Sequence, residues 1–359
     1  MTADTKAITQ DWTEPGVYPI APGVHRVPLP LPTDGLRAVN VYVLDAGDGL
    51  VLIDSGWALE QAHGALSSAL ATLGAELGDV RSFLVTHVHR DHYTLGVAVR
   101  RTFGTTVALG LGEQEAIAAL LAGGVRPFEP QLAELAASGA GTVLELLAGL
   151  ERAVPGGADG WEAPDEWLAS QQEVGVGSRT LRVLATPGHT QGHVVFTDAA
   201  TGLLFAGDHV LPHITPSIGF EPVRAALPLR DYLQSLRLVR GLPDMRLLPA
   251  HGPVTDSAHA RIDELLAHHQ DRLDRCFAAV AAGAATAYEA ARALRWTRRG
   301  RQLTELDPVN QMLAVIETRA HLELQAAQGR LASSQEDGVT FYQLPSPRAG
   351  AAGQARAAG

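Results

Sequence analysis

Apolar residues recur along the first two thirds of the chain in short runs. VHRVP at 24–28, AVNVYVLD at 38–45 and LVLID at 50–54 are apolar or alternating and are separated by Gly/Asp turns, so each reads as a β-strand. GWALEQAHGALSSALATLG then carries apolar positions at helical spacing. RSFLVT at 81–86 predicts the next strand and LGVAVRRTFG the next helix. TTVALG, RTLRVLATP, GHVVFTDA and TGLLFAG read as strands, and MRLLPAH follows a helical stretch at 229–239. Strands that alternate with helices and also occur in adjacent pairs predict a layered α/β architecture with mixed sheets.

Two regions depart from this rhythm. An Ala/Leu/Gly-rich segment at 112–170 shows helical pattern at 112–122, 129–138 and 141–152, and reads as a helical insertion capping the domain. From 257 the pattern becomes three helices, DSAHARIDELLAHHQDRLDRCFAAVAAG, TAYEAARALRW and PVNQMLAVIETRAHLELQAAQG, followed by two short strand-like runs in LASSQEDGVTFYQL. Helices followed by a hairpin are the order of a small winged-helix module. The expected organisation is an N-terminal tail at 1–16, a main domain at 17–256, the C-terminal module at 257–345 and a disordered tail at 346–359.

Composition removes several kinds of chemistry. No apolar run reaches the roughly 18 residues of a membrane span, and the first residues, MTADTKAITQDWTEPG, lack the apolar core of a secretory signal, so a cytoplasmic protein is expected. Cys276 is the single cysteine, which leaves no intrachain disulfide and no Cys-based metal site. Lys6 is the single lysine, so a Schiff-base mechanism has no candidate inside a pocket. A formal net charge of −11 weighs against general binding of phosphate backbones.

The candidate chemistry lies at strand ends. THVHRDHYTLG at 86–96 brings His87, His89, Asp91 and His92 into six positions. His87 and His89, at i and i+2 after a strand, share a face, while Asp91 and His92 fall where the helix begins. TPGHTQGH delivers His189 after another strand, LLFAGDHV delivers Asp208, and LLPAHGPV delivers His251. Sites of α/β sheets are commonly built at such C-terminal strand edges. Imidazole and carboxylate donors together suit zinc, and also iron or manganese.

These motifs, with LIDSG around Asp54, resemble in order those of the metallo-β-lactamase superfamily, over about the first 255 residues. The resemblance implies an αββα sandwich with metals at one open edge of its two sheets. It implies two divalent ions: one held by His87, His89 and His189, the other by Asp91, His92 and His251, with Asp208 bridging. Asp54 would orient a ligand from behind, and a hydroxide shared by the ions would be the nucleophile, with Asp91 handling its proton. His193 would support the site from behind or contact substrate, and Tyr93, His209 and His213 are candidate substrate-binding residues.

The motif details narrow the branch. Antibiotic-hydrolysing members of the commonest two-zinc kind carry Cys in place of Asp208, and flavodiiron proteins usually carry Glu in place of His89. RDH within THVHRDH, the short PAHGPV and the winged-helix-like C-terminus resemble the lactamase-B-like branch, which holds an endoribonuclease and polyketide-releasing thioesterases. YTLG after His92 departs from the small Ser-Gly-Gly common there. The expected function is therefore hydrolysis of a small ester or acyl thioester. The alternatives are an RNA phosphodiesterase, and an iron-dependent sulfur dioxygenase using His87, His189 and Asp208. Arg292, Arg295, Arg298, Arg299 and Arg301 around Trp296 read first as a solvated helix end, and otherwise as a phosphate-binding cluster with Trp296 stacking. His25, His63, His259, His268, His269 and His321 fall outside the motifs and read as surface or packing residues. The sequence does not set the oligomeric state.

Overall fold

A computed structural model of the chain describes residues 11–31, 35–122, 128–150 and 160–346. The tails expected at 1–16 and 346–359 fall outside this range up to residue 10 and from residue 347. The described chain divides into two compact units, one of Met1–Pro130 with Glu151–His269, the other of Gln131–Leu150 with Gln270–Gly359.

The first unit is built on two sheets. One runs in chain order through β1 (Tyr18–Ala21), β2 (Val24–Pro30), β3 (Ala38–Asp45), β4 (Leu50–Ile53), β5 (Val80–Val85), β6 (Thr106–Gly110) and β7 (Glu166–Leu168). It is antiparallel up to β4 and parallel from there on. The other comprises β8 (Glu173–Val176), β9 (Arg179–Ala185), β10 (Val194–Asp198), β11 (Leu203–Gly207) and β12 (Arg246–Pro249), in the order β12-β11-β10-β9-β8. Helices α1 (Glu60–Thr72), α2 (Arg90–Phe103) and α3 (Gln114–Leu121) follow β4, β5 and β6, and α6 (Pro228–Arg240) precedes β12.

Side-chain alternation explains the layering. Along β3, Val39, Val41 and Val43 face one apolar core with Leu66 and Leu70 of α1 and Val97 of α2, whereas Tyr42 and Leu44 face Val183, Phe196 and Phe205 of the second sheet. Phe83 and Val85 of β5 join the helical side and Leu84 the inter-sheet side. A sheet covered on both faces needs apolar residues on both, and these strands read as nearly continuous apolar runs. Each such buried side chain contributes about 1.5–3 kcal/mol. The result is an αββα sandwich.

At one edge the sheets are joined through the main chain. The Val194 amide donates to the Thr86 carbonyl at 2.8 Å, and the Asn40 amide to the Ala250 carbonyl at 2.7 Å. The Asn40 side chain adds bonds to the Pro249 and Gly252 carbonyls, both at 2.9 Å. Residues just beyond β5, β9, β11 and β12 therefore converge.

The second unit contains α4 (Glu129–Ala137) and α5 (Gly141–Leu150), of which residues from Gln131 on belong to it, and the C-terminal helices. These are α7 (Ala258–Ala281) from Gln270 on, α8 (Ala287–Ala293) and α9 (Pro308–Ala327), followed by the hairpin of β13 (Ala332–Glu336) and β14 (Val339–Gln343). The helical segment expected at 112–170 is thus divided, with α3 in the first unit and most of α4 and all of α5 beside the C-terminal helices. The Tyr288 amide donates to the Ser138 carbonyl at 3.1 Å and the Arg319 guanidinium to the Glu134 carbonyl at 3.1 Å. No helix among the described residues is long and apolar enough to cross a membrane.

Cys276 lies fully buried in α7, and burial pushes its thiol up to about 12. The folded protein should therefore resist alkylation near pH 8 and react once denatured, because the thiolate is the nucleophile. Mass spectrometry after iodoacetamide treatment checks this; rapid labelling of the native protein would contradict the packing around α7.

Candidate metal centre

Strand ends and a helix start deliver the site. β5 ends at Val85, and His89 is extended (φ −61°, ψ 148°) as the N-cap of α2, so Asp91 enters the first turn, where the helix dipole favours a carboxylate. His189 lies between β9 and β10, Asp208 directly follows β11, and His251 follows β12 by two residues. Gly207 before Asp208 has φ +51°, and a Cβ there would meet His193 Nε2 and Thr86 at 2.7 Å, so the turn requires glycine.

The donors form two clusters. His89 Nδ1 lies 3.0 Å from both His87 Nε2 and His189 Nε2. Tetrahedral ligation with zinc–nitrogen bonds of about 2.0–2.1 Å places donors roughly 3.3 Å apart, so this spacing fits one ion. In the second cluster, Asp91 Oδ2 lies 3.5 Å from His92 Nε2 and 3.4 Å from His251 Nε2. Asp208 reaches both clusters: Oδ1 is 3.4 Å from His251 Nε2 and 3.8 Å from His92 Nε2, and Oδ2 is 3.5 Å from His189 Nε2.

The far nitrogen of each imidazole is engaged, which fixes the tautomer. The N–H groups of His89 (Nε2), His189 (Nδ1) and His251 (Nδ1) each donate at 2.8 Å, to the carbonyls of Phe220, Ser217 and Ala38. His92 Nδ1 donates to Asp54 Oδ2 at 3.0 Å. The Thr86 hydroxyl donates to Asp54 Oδ1 at 2.9 Å and so accepts from His87 Nδ1 at 3.0 Å. In the neutral rings every inward-facing nitrogen keeps a lone pair, the form that binds a cation. His92 Nε2, His251 Nε2 and Asp208 Oδ1 are buried without a hydrogen-bond partner among the described residues. Such orphaned atoms are costly unless a ligand satisfies them, so the residues fit a divalent metal centre.

Electrostatics divide the clusters. Burial, and then the neighbouring imidazoles, hold His87 well below its usual range and lower His89 to about 3. At His92 and His251 burial also opposes charge, but the carboxylates of Asp91 and Asp208, with Asp54 at His92, outweigh it and raise both. The carboxylate-rich cluster thus attracts a cation, while the all-imidazole cluster offers neutral donors.

The flanking candidates occupy different places. Asp54 adopts φ +60° and, besides His92, accepts from the Thr86 amide at 2.8 Å. His193 is fully buried; it accepts from the Asp208 amide at 3.1 Å and therefore donates through Nδ1 to Thr186 at 2.9 Å. Tyr93 is fully buried in the core, its hydroxyl donating to the Glu162 carbonyl at 2.8 Å and its ring stacked on Trp161. His209 is also fully buried, its ring 5.4 Å from that of Tyr232, and burial lowers it to about 3. His213 is exposed. Neither Tyr93 nor His209 joins the ligand clusters among the described residues. Sequence reasoning missed the Ala38, Ser217 and Phe220 carbonyls, which carry no side-chain signature, and Thr186, which sits just after a strand and was readable in TPGHTQGH.

Comparison with known proteins agrees with this geometry. The profile of the Metallo-beta-lactamase superfamily matches residues 34–251, which include every ligand candidate above. The chain belongs to the metallo-beta-lactamase superfamily. The Probable metallo-hydrolase YqjP of Bacillus subtilis (strain 168) is 25% identical over 331 residues, covering 88% of this chain and 96% of that protein. The Beta-lactamase-like protein 2 homolog of Caenorhabditis elegans is 25% identical over 238 residues, which span 66% of this chain and 63% of that protein's length. A metallo-beta-lactamase family protein of Thermus thermophilus, known from its crystal structure, superposes with a TM-score of 0.74 at 28% identity, covering 90% of this chain and 99% of that one. Fold, donor clusters and relatives agree on a metallo-hydrolase of the metallo-beta-lactamase superfamily, including its C-terminal helical region.

Proposed function

We propose that the chain is a zinc-dependent hydrolase of a small carboxylic ester or acyl thioester. The observation that carries this reading is the pair of donor clusters sharing Asp208, with His92 Nε2, His251 Nε2 and Asp208 Oδ1 buried and unpartnered among the described residues. Two divalent ions held there would supply a Lewis acid and a water ionised near neutral pH. Asp208 would join the two sets of donors, with His193 fixing its main chain and Asp54 fixing His92. Asp91 is the most open of the three carboxylates, its side chain 15% exposed against 8% for Asp208 and 3% for Asp54, and so is the one able to accept a proton from the attacking water and pass it outward. The Phe220 ring lies 5.7 Å from that of His89, and the Phe128 ring 6.1 Å from that of Phe220. This apolar flank suits an acyl chain.

The polyanion reading loses one of its supports. Trp296 is only 6% exposed, its indole N–H donates to the Ala291 carbonyl at 2.9 Å, and Arg272 lies 3.9 Å over its ring. It is a packing residue and offers no free face to a base, which removes the stacking role that the alternative, phosphate-binding reading gave it. Short-chain acyl thioesters and aryl esters should be hydrolysed with weak salt dependence, and neutralising Arg298, Arg299 and Arg301 together should change kcat/KM by less than about 2-fold. Parallel assays on a thioester panel and on single-stranded RNA, at low and moderate salt, test this. Salt-sensitive RNA cleavage without thioester turnover would reverse the reading.

A further inference from the structure

The loops bearing the first donor cluster meet at a buried carboxyl group that the reaction does not use. Glu113 follows β6, and its side chain is fully buried. Its Oε1 accepts from the Thr190 hydroxyl at 2.5 Å and from the Val88 amide at 3.3 Å. Val88 stands between His87 and His89, and Thr190 directly follows His189. One oxygen therefore touches both loops that supply the all-imidazole cluster.

The backbone is shaped to allow this. A Cβ at Gly192 would collide with the Glu113 main-chain nitrogen and Cγ, and one at Gly112 would meet the Gln191 carbonyl oxygen at 2.8 Å. Glycine at both positions lets the end of β6 press against the His189 loop. Glu221 extends the arrangement: it accepts from the Gln191 amide at 2.8 Å and the Ala225 amide at 3.1 Å. It thereby fastens the same loop to the segment whose Ser217 and Phe220 carbonyls orient His189 and His89.

We propose that Glu113 is a positioning residue of the metal centre, its carboxyl group tying the His87–His89 loop to the His189 loop so that three imidazoles keep the spacing of one ion. This rests on the metallo-hydrolase reading above. Burial, opposed by the Thr190 bond and reinforced by the charge of Glu221, raises Glu113 to about 8. A neutral acid in this place keeps its acceptor oxygen without the cost of an unpaired buried charge. An amide presents the same acceptor, so Gln should replace Glu where Ala cannot.

Metal affinity, measured by zinc titration of metal-free protein against a chromophoric chelator, tests the proposal in two single-cluster backgrounds. With His251→Ala, which weakens the second cluster, Glu113→Ala should weaken zinc binding by about 10–100-fold, the usual range for removing a group that orients a ligand. Glu113→Gln should stay within about 3-fold of its parent in that background. With His189→Ala, which cripples the first cluster, Glu113→Ala should change affinity by less than about 2-fold. If Glu113→Ala does not fold, as judged by circular dichroism, Thr190→Val serves instead: it removes the shorter of the two bonds and should weaken the first cluster alone by several-fold. Unchanged affinity of Glu113→Ala, or of Thr190→Val where it is the surrogate, in the His251→Ala background would overturn the proposal. So would a loss in Glu113→Gln as large as in Glu113→Ala. Failure of the unsubstituted protein to bind two zinc ions would instead count against the metallo-hydrolase reading itself.

Discussion

Asp208→Asn should lower turnover by on the order of 10²–10³-fold and cost the protein at least one of the two ions proposed above. Asp208 is 6% exposed, and its two oxygens face different clusters, Oδ1 towards His92 and His251 and Oδ2 towards His189. Asparagine preserves the volume but turns one acceptor into a donor facing imidazole nitrogens, and it removes the charge shared by both ions. A factor of 10²–10³ corresponds to about 3–4 kcal/mol, within the several kcal/mol that such charge stabilisation supplies. The sandwich core does not include Asp208, so the fold should persist. Steady-state kinetics with elemental analysis of the same sample check this. Full metal content with unaltered turnover would remove Asp208 from the centre.

Asp54→Asn should weaken the second ion by about 10–100-fold and leave the first nearly untouched. Asp54 is buried, and its carboxylate accepts from His92 Nδ1 at 3.0 Å and from the Thr86 amide at 2.8 Å. Asparagine tolerates the left-handed backbone at φ +60°, so the substitution isolates the charge from the conformation. With the charge gone, His92 Nδ1 faces at best a neutral amide acceptor, which no longer makes its inward nitrogen a stronger donor. Asp54→Leu should cost more, since a bulky residue adds backbone strain at that φ. Stepwise zinc titration of the metal-free protein separates the two ions; an Asp54→Asn protein that binds both as tightly as the parent would contradict this account.

Much of this candidate centre was legible because its donor residues occupy fixed places in the repeating pattern. A short apolar strand that breaks into His-x-His or Gly-Asp announces both the element and its functional end, and β3 was readable from alternation alone. What escaped lacked such signals. β1, β7 and β8 are three- or four-residue strands with exposed positions, too short for a period to register. The helical pattern of α4 and α5 was plain, but their apolar faces do not say which core they join, and contiguity with α3 suggested the sandwich. Tyr93 follows a ligand in sequence, yet the turn of α2 carries it into the core. The acceptors behind His89, His189 and His251 are main-chain carbonyls, which every residue possesses, and they become visible only when the loops are placed.

The central claim is a two-ion centre joined by one carboxylate, and anomalous scattering from zinc-loaded crystals tests it most directly. The account predicts two peaks roughly 3.5–4 Å apart, one among His87, His89 and His189, the other among Asp91, His92 and His251, with Asp208 touching both. A single peak on His87, His189 and Asp208, with the second cluster empty under saturating metal, would contradict it.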